Sequence, residues 1–226
     1  MTSFAFVFPG QGSQAIGMLN GFADNTAVRD TIAEASDALQ FDLTKLIAEG
    51  PKEALDLTTN TQPVMLVAGV AAYRAWRAEG GAQPSVLAGH SLGEYAALVA
   101  AGALTLAQAA PLVRFRAQAM QEAVPVGVGA MAAILGMEAA GVIAGCVQAS
   151  DFFGASSSEI VEAVNFNDPA QTVIAGSKAA VDKACELLKA AGAKRALALP
   201  VSAPFHSSLM KPAADRLRDR LAATAI

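Results

Sequence analysis

Ser91 stands in Gly89-His90-Ser91-Leu92-Gly93, the G-x-S-x-G spacing of a nucleophile elbow. Flanking glycines let a strand and the helix after it approach more closely than a Cβ would permit. The hydroxyl is then left exposed at a helix start, whose open N–H groups can stabilise an oxyanion formed by attack on a carbonyl. The same five residues also fit a tight strand-to-helix turn with an incidental serine. A serine nucleophile needs a base, and the chain has two histidines, His90 and His206. His90 adjoins Ser91, and adjacent side chains diverge in a sharp turn, so His206 is the candidate base. A lone histidine is as readily a core or surface residue; being the remaining imidazole available to Ser91 is what favours catalysis. Asp151, Glu159, Glu162 and Asp168 fall between serine and histidine, and none stands out as a third member. A backbone carbonyl would orient an imidazole equally well.

Gly10-Gln11-Gly12-Ser13-Gln14 follows an apolar run and places the Gln11 amide at the C-terminal end of a strand, where open α/β sheets bind ligands. A phosphate loop is the competing reading, but the lysine of G-x-x-x-x-G-K-[ST] is missing, and a structural Gly-rich turn fits too. Arg114 and Arg116 lie two apart on an expected helix, hence on different faces. One can be solvated while the other points inward.

The elements that must position these groups follow from periodicity and breakers. Phe4-Ala5-Phe6-Val7-Phe8 reads as a strand stopped by Pro9-Gly10, and Ser85 to Ala88 as a short buried strand before the elbow. Helices are expected over 25–39, 51–55, 62–77, 92–101 and 105–122, with Thr105 as an N-cap. From 126 the rhythm changes. Strands over 129–135, 159–164, 172–175 and 194–199 and helices over 138–149 and 178–190 give β-α-β-β-α-β, the ferredoxin-like split unit. Residues 165–169 are expected as the turn between the two middle strands. A loop over 200–205 leads to His206 and a final helix over 208–223. The expected division is a large α/β domain from 1–125 and 201–226, with 126–200 inserted as the small subdomain.

Apolar residues make up 54% and charged ones 16% of the chain, which supports a sizeable core and excludes disorder. No apolar run is long enough to span a membrane, and the N-terminus reads directly into a strand with no basic leader. Cys146 and Cys185 lack metal-ligand spacing, so no metal is expected. These features indicate a soluble, cytoplasmic protein, and a monomer is the expected state. Residues 1–177 carry 7 Lys/Arg against 16 Asp/Glu, and residues 178–226 carry 9 against 4. The basic C-terminal segment is either a set of solvated helix faces or a docking surface for an acidic partner. Nucleic acid is not expected, since no basic-aromatic interleaving accompanies the charge.

Together these residues resemble the acyltransferase family of fatty acid and polyketide synthesis, in particular its malonyl-CoA:acyl carrier protein transacylases. Phe8-Pro9-Gly10-Gln11-Gly12-Ser13-Gln14 resembles the opening motif, Gly89 to Tyr95 the nucleophile motif, and Ser202-Ala203-Pro204-Phe205-His206-Ser207 the histidine segment. The resemblance implies a hydrolase-like α/β large domain and ping-pong transfer of malonyl from malonyl-CoA to a carrier protein's phosphopantetheine thiol, with no cofactor. It assigns the oxyanion to the backbone N–H groups of Gln11 and Leu92, and the malonyl carboxylate to Arg116. Asn165 falls in a loop beside the site, and Phe205 resembles the residue found there in malonyl-selective members. Family members usually continue beyond the helix after His206, so the C-terminal part of the large domain is expected to be missing here. A serine esterase or thioesterase shares G-x-S-x-G without requiring Gln11 or an interior arginine. A truncated, non-catalytic binder of acyl-CoA or carrier protein is the other alternative.

Overall fold

The computed structural model describes residues 3–225, which form two compact units, one of residues up to 118 with those from 219 onward and one of residues 119–218. In the first, β1 (Ala5–Phe8) and β2 (Val86–Gly89) pair in parallel, with Phe8 opposite Gly89. Parallel neighbours need a long crossover, supplied by α1 (Thr26–Leu39), α2 (Leu43–Glu49), α3 (Lys52–Leu55) and α4 (Thr58–Ala78). Side chains alternate across the strands. Phe8 is buried, and the Phe6 and Phe8 rings meet Tyr73 of α4 edge-on. The opposite face is open, with Val7 70% and Val86 57% exposed, so the strand before the elbow is not buried as expected.

Side-chain caps mark three of the helix starts. The Asn25 side chain accepts from the Val28 N–H and Asp42 from that of Lys45, caps contributing about 1 kcal/mol each. Thr105 and Gln108 form a reciprocal capping box at the start of α6 (Leu106–Ala123). Helix α4 departs from expectation. Pro63 suggests a helix start, yet α4 begins five residues earlier and carries Pro63 inside it. The missing N–H costs one bond, while Thr58, Thr61, Gln62 and the residues from Val64 to Val67 are all buried, and that packing offsets it. Helix α2 had no counterpart in the sequence reading.

The second unit contains β3 (Gly129–Leu135), α7 (Ala139–Phe152), β4 (Val161–Asp168), β5 (Gln171–Ser177), α8 (Lys178–Ala190) and β6 (Arg195–Ala198). Its sheet has the order β4-β5-β3-β6 with antiparallel neighbours throughout. Ala132 and Ile134 pack with Val142 and Cys146 of α7 and Val181 and Leu188 of α8. Met131, Val173 and Ala175 pack instead with Ala119, Met120, Val124, Ala203, Phe205 and Met210. Two buried faces explain why β3 is apolar without alternation. They also explain why this unit is wider than 126–200: the second face is covered by the end of α6 and by the segment around Phe205. The expected turn over 165–169 is corrected, since β4 continues to Asp168 through two register shifts. Each shift is a bulge that keeps the strand paired while bending it. After a 3₁₀ turn (Ser208–Met210), α9 (Lys211–Ala222) ends the described chain but for three residues.

Candidate active site

The elbow joins β2 to α5 (Gly93–Ala100). Ser91 has φ +53°, a left-handed conformation uncommon outside glycine. A Cβ on Gly89 would lie 2.0 Å from the Gly93 carbonyl carbon, and one on Gly93 would lie 2.2 Å from the Phe8 oxygen. Both motif glycines are therefore contact requirements. The His90 N–H donates to the Phe8 carbonyl (3.0 Å) and the Gly93 N–H to the His90 carbonyl (2.9 Å), closing the turn. A Cβ on Gly10 would come within 2.8 Å of the same His90 oxygen, so the loop bearing Gln11 lies against the elbow. The Gln11 amide donates to Thr58 Oγ1 at 3.1 Å, which ties that loop to the first turn of α4. The Leu92 side chain is buried, leaving its backbone N–H, at the open start of α5, as the group available for chemistry.

Arg116 is 8% exposed. Its Nη1 donates to Gln62 Oε1, its Nη2 donates to Ser91 Oγ at 3.1 Å, and the guanidinium lies 5.8 Å from the Tyr95 ring centre. Burial lowers the Arg116 pKa, partly opposed by Tyr95, and guanidinium stays protonated at neutral pH. Burial also raises the Tyr95 pKa, with Arg116 opposing and Glu94 reinforcing the shift. Arg114 is half-buried, donates to the Leu39 carbonyl and lies over Phe41, which is a packing role. The two arginines thus part company as their spacing requires.

In the second unit His206 is exposed, with φ +68°. Its flanks are fixed: Phe205 and Ala203 belong to the core, Ser207 Oγ donates to the Pro204 carbonyl (2.7 Å), and the Ser208 N–H donates to Glu162 Oε2 (2.6 Å). Asn165 is a half-buried residue of β4 opposite Val173, between the two bulges. Ser91, Gln11, Leu92 and Arg116 therefore share the first unit, and His206 and Asn165 lie in the second. Sequence reasoning gave no role to Thr58 or Gln62, took Tyr95 only as part of the nucleophile motif, and weighed Glu162 as a third member without singling it out, whereas here Glu162 holds the Ser208 N–H. Gln62 is a polar residue heading an apolar run, but its partner lies too far along the chain for the sequence to name it. Among the described residues, no group of three His, Cys, Asp or Glu side chains could hold a metal, and no helix is long and apolar enough to cross a membrane.

The architecture is mixed α/β and matches solved structures closely. An acyl-carrier-protein S-malonyltransferase from Burkholderia pseudomallei 1710b superposes with a TM-score of 0.94 at 66% identity, covering 99% of this chain and 71% of that one. A malonyl-transacylase solved in complex with its type II PKS acyl-carrier protein gives 0.94 at 50% identity, covering 99% and 71%. The malonyl CoA-acyl carrier protein transacylase of Escherichia coli (strain K12) is 54% identical over 223 residues, 98% of this chain and 70% of the relative. The acyl transferase domain model matches residues 5–226, a span that includes both the elbow and His206. On that match and these identities, the chain belongs to the acyl transferase domain family.

Proposed function

We propose that this chain transfers a malonyl group from malonyl-CoA to the phosphopantetheine thiol of an acyl carrier protein, through an acyl-enzyme on Ser91, in fatty acid biosynthesis. The observation that carries the reading is the Arg116–Ser91 hydrogen bond. A buried cation against the nucleophile suits an acyl group that ends in a carboxylate, and malonyl is such a group. Relatives named for this reaction, one of them solved with a carrier protein, support the same substrate and partner.

In this reading His206 takes the Ser91 proton as Oγ attacks the malonyl thioester carbon. The backbone N–H groups of Gln11 and Leu92 receive the oxyanion. Collapse breaks the carbon–sulfur bond, and His206 returns the proton to the departing coenzyme A thiolate. The carrier's thiol then attacks the Ser91 ester by the same steps in reverse. Arg116 pairs with the malonyl carboxylate through two parallel N–H···O bonds, and Asn165 lines the substrate side. The large unit is hydrolase-like and the sheet with α7 and α8 ferredoxin-like, a reading supported by the elbow and by the strand order. A cytoplasmic monomer fits these assignments.

Intact mass after brief exposure to malonyl-CoA tests the proposal. One malonyl group is expected on Ser91, and none on Ser91→Ala with its melting transition retained. Labelling that persists in Ser91→Ala, at Cys146 or Cys185 for example, would overturn it.

A further inference from the structure

Arg116 stands out as the one charged side chain among the buried residues described, and none of the ion pairs described includes it. A buried guanidinium ordinarily acquires a carboxylate, since an unpaired interior charge is costly. The arginine–carboxylate pairs among the described residues, Arg74–Glu34, Arg216–Glu122 and Arg218–Asp215, all lie elsewhere. What touches Arg116 is neutral: the Gln62 amide oxygen, the Ser91 hydroxyl and the Tyr95 ring face. Gln62 itself is 1% exposed. It lies one helical turn beyond Thr58, the residue that receives the Gln11 amide, so α4 supports both sides of the serine.

We infer that Gln62 is a specificity-determining positioning residue, which holds Arg116 through an uncharged acceptor and so leaves its positive charge for the carboxylate of the incoming acyl group. The inference rests on the reading of Arg116 under Proposed function. A glutamate is isosteric with glutamine and would hold the guanidinium as firmly. It would also supply the negative charge that the substrate otherwise brings, turning a carboxylate receptor into a closed ion pair. Two of the five guanidinium N–H groups are engaged by Gln62 and Ser91, and the fork leaves three for a ligand. The amide therefore holds the fork without placing a negative charge beside it.

The test compares Ser91 acylation by malonyl-CoA and by acetyl-CoA in the wild type, Gln62→Glu, Gln62→Met and Arg116→Ala. Gln62→Glu is expected to lower the malonyl-to-acetyl ratio of kcat/KM by about 30-fold or more, the size of a lost buried charge pair. Gln62→Met removes the acceptor without adding charge and should lower the ratio by a smaller factor. A merely structural role would reduce both donors alike, and an equal loss overturns the inference. If Gln62→Glu does not fold, Gln62→Met decides, and an unchanged ratio in that variant overturns the inference. Arg116→Ala separates the two levels. If it lowers the ratio and neither Gln62 variant does, this inference falls alone; if it leaves the ratio intact, the reading of Arg116 falls and this one with it.

Discussion

Ser91 is held in a conformation that its own Cβ disfavours, with φ +53°, because the turn between β2 and α5 must lift the hydroxyl away from the sheet. The measurable cost is the difference between two inactive variants, since both remove Oγ and its bond from Arg116 alike. Ser91→Gly should be more stable than Ser91→Ala by about 1 kcal/mol, or roughly 2–4 °C in Tm for a chain of this size. Equal melting temperatures would mean that the turn relaxes when the hydroxyl is gone. The motif was legible in the sequence because its requirements are local: five residues, two missing Cβ atoms, one strand and one helix. Gln62 was not, because its role exists only once α4 has brought it to an arginine 54 positions away.

At the scale of elements, the close approach of α5 to β1 depends on Gly93. A Cβ there would meet the Phe8 backbone oxygen at 2.2 Å, and backbone cannot rotate aside as a side chain can. Gly93→Ala should therefore destabilise by about 3 kcal/mol or more in urea unfolding, whereas Gly21→Ala, with nothing within 4 Å of the added Cβ, should stay within about 0.5 kcal/mol. Similar midpoints for the two variants would remove the steric account. The elements read from sequence most faithfully were β3 and α8, where apolar pattern and breakers agree. Helix α2 was not read at all, and among the elements that were, the start of α4 and the far end of β4 were read least well. In the first, packing outweighed the local preference of Pro63; in the second, two bulges carried the strand through Asn165-Phe166-Asn167, residues that read locally as a turn.

Across the whole molecule, the second unit is closed around a buried thiol. Burial, reinforced by Cys185 and Glu162, pushes the Cys146 pKa up from 9.0 to about 12. Between those values the native state keeps a proton that the unfolded chain releases, so unfolding becomes easier as pH rises. The stability associated with this group is complete below pH 9.0 and is lost progressively towards about 12, with a slope of at most about 1.4 kcal/mol per pH unit. Cys146→Ala should start less stable at neutral pH, because it opens a cavity, and then lose less between those limits. Parallel alkaline curves for the two proteins would show that the thiol is not responsible. The exposed charges of the basic C-terminal segment are partly spoken for, since Lys211 already pairs with Asp215 and Arg216 with Glu122.

The borders of the two units fall after Gln118 and before Asp219, inside α6 and inside α9 rather than in loops. Cutting the gene at either border would leave each fragment ending in an unfinished helix, with N–H or carbonyl groups that had partners in the intact chain and none in the fragment. Two halves recognisable by their packing are therefore not two exchangeable modules. A recombination event that imported a foreign small unit would have to splice in mid-helix, in register, at both ends.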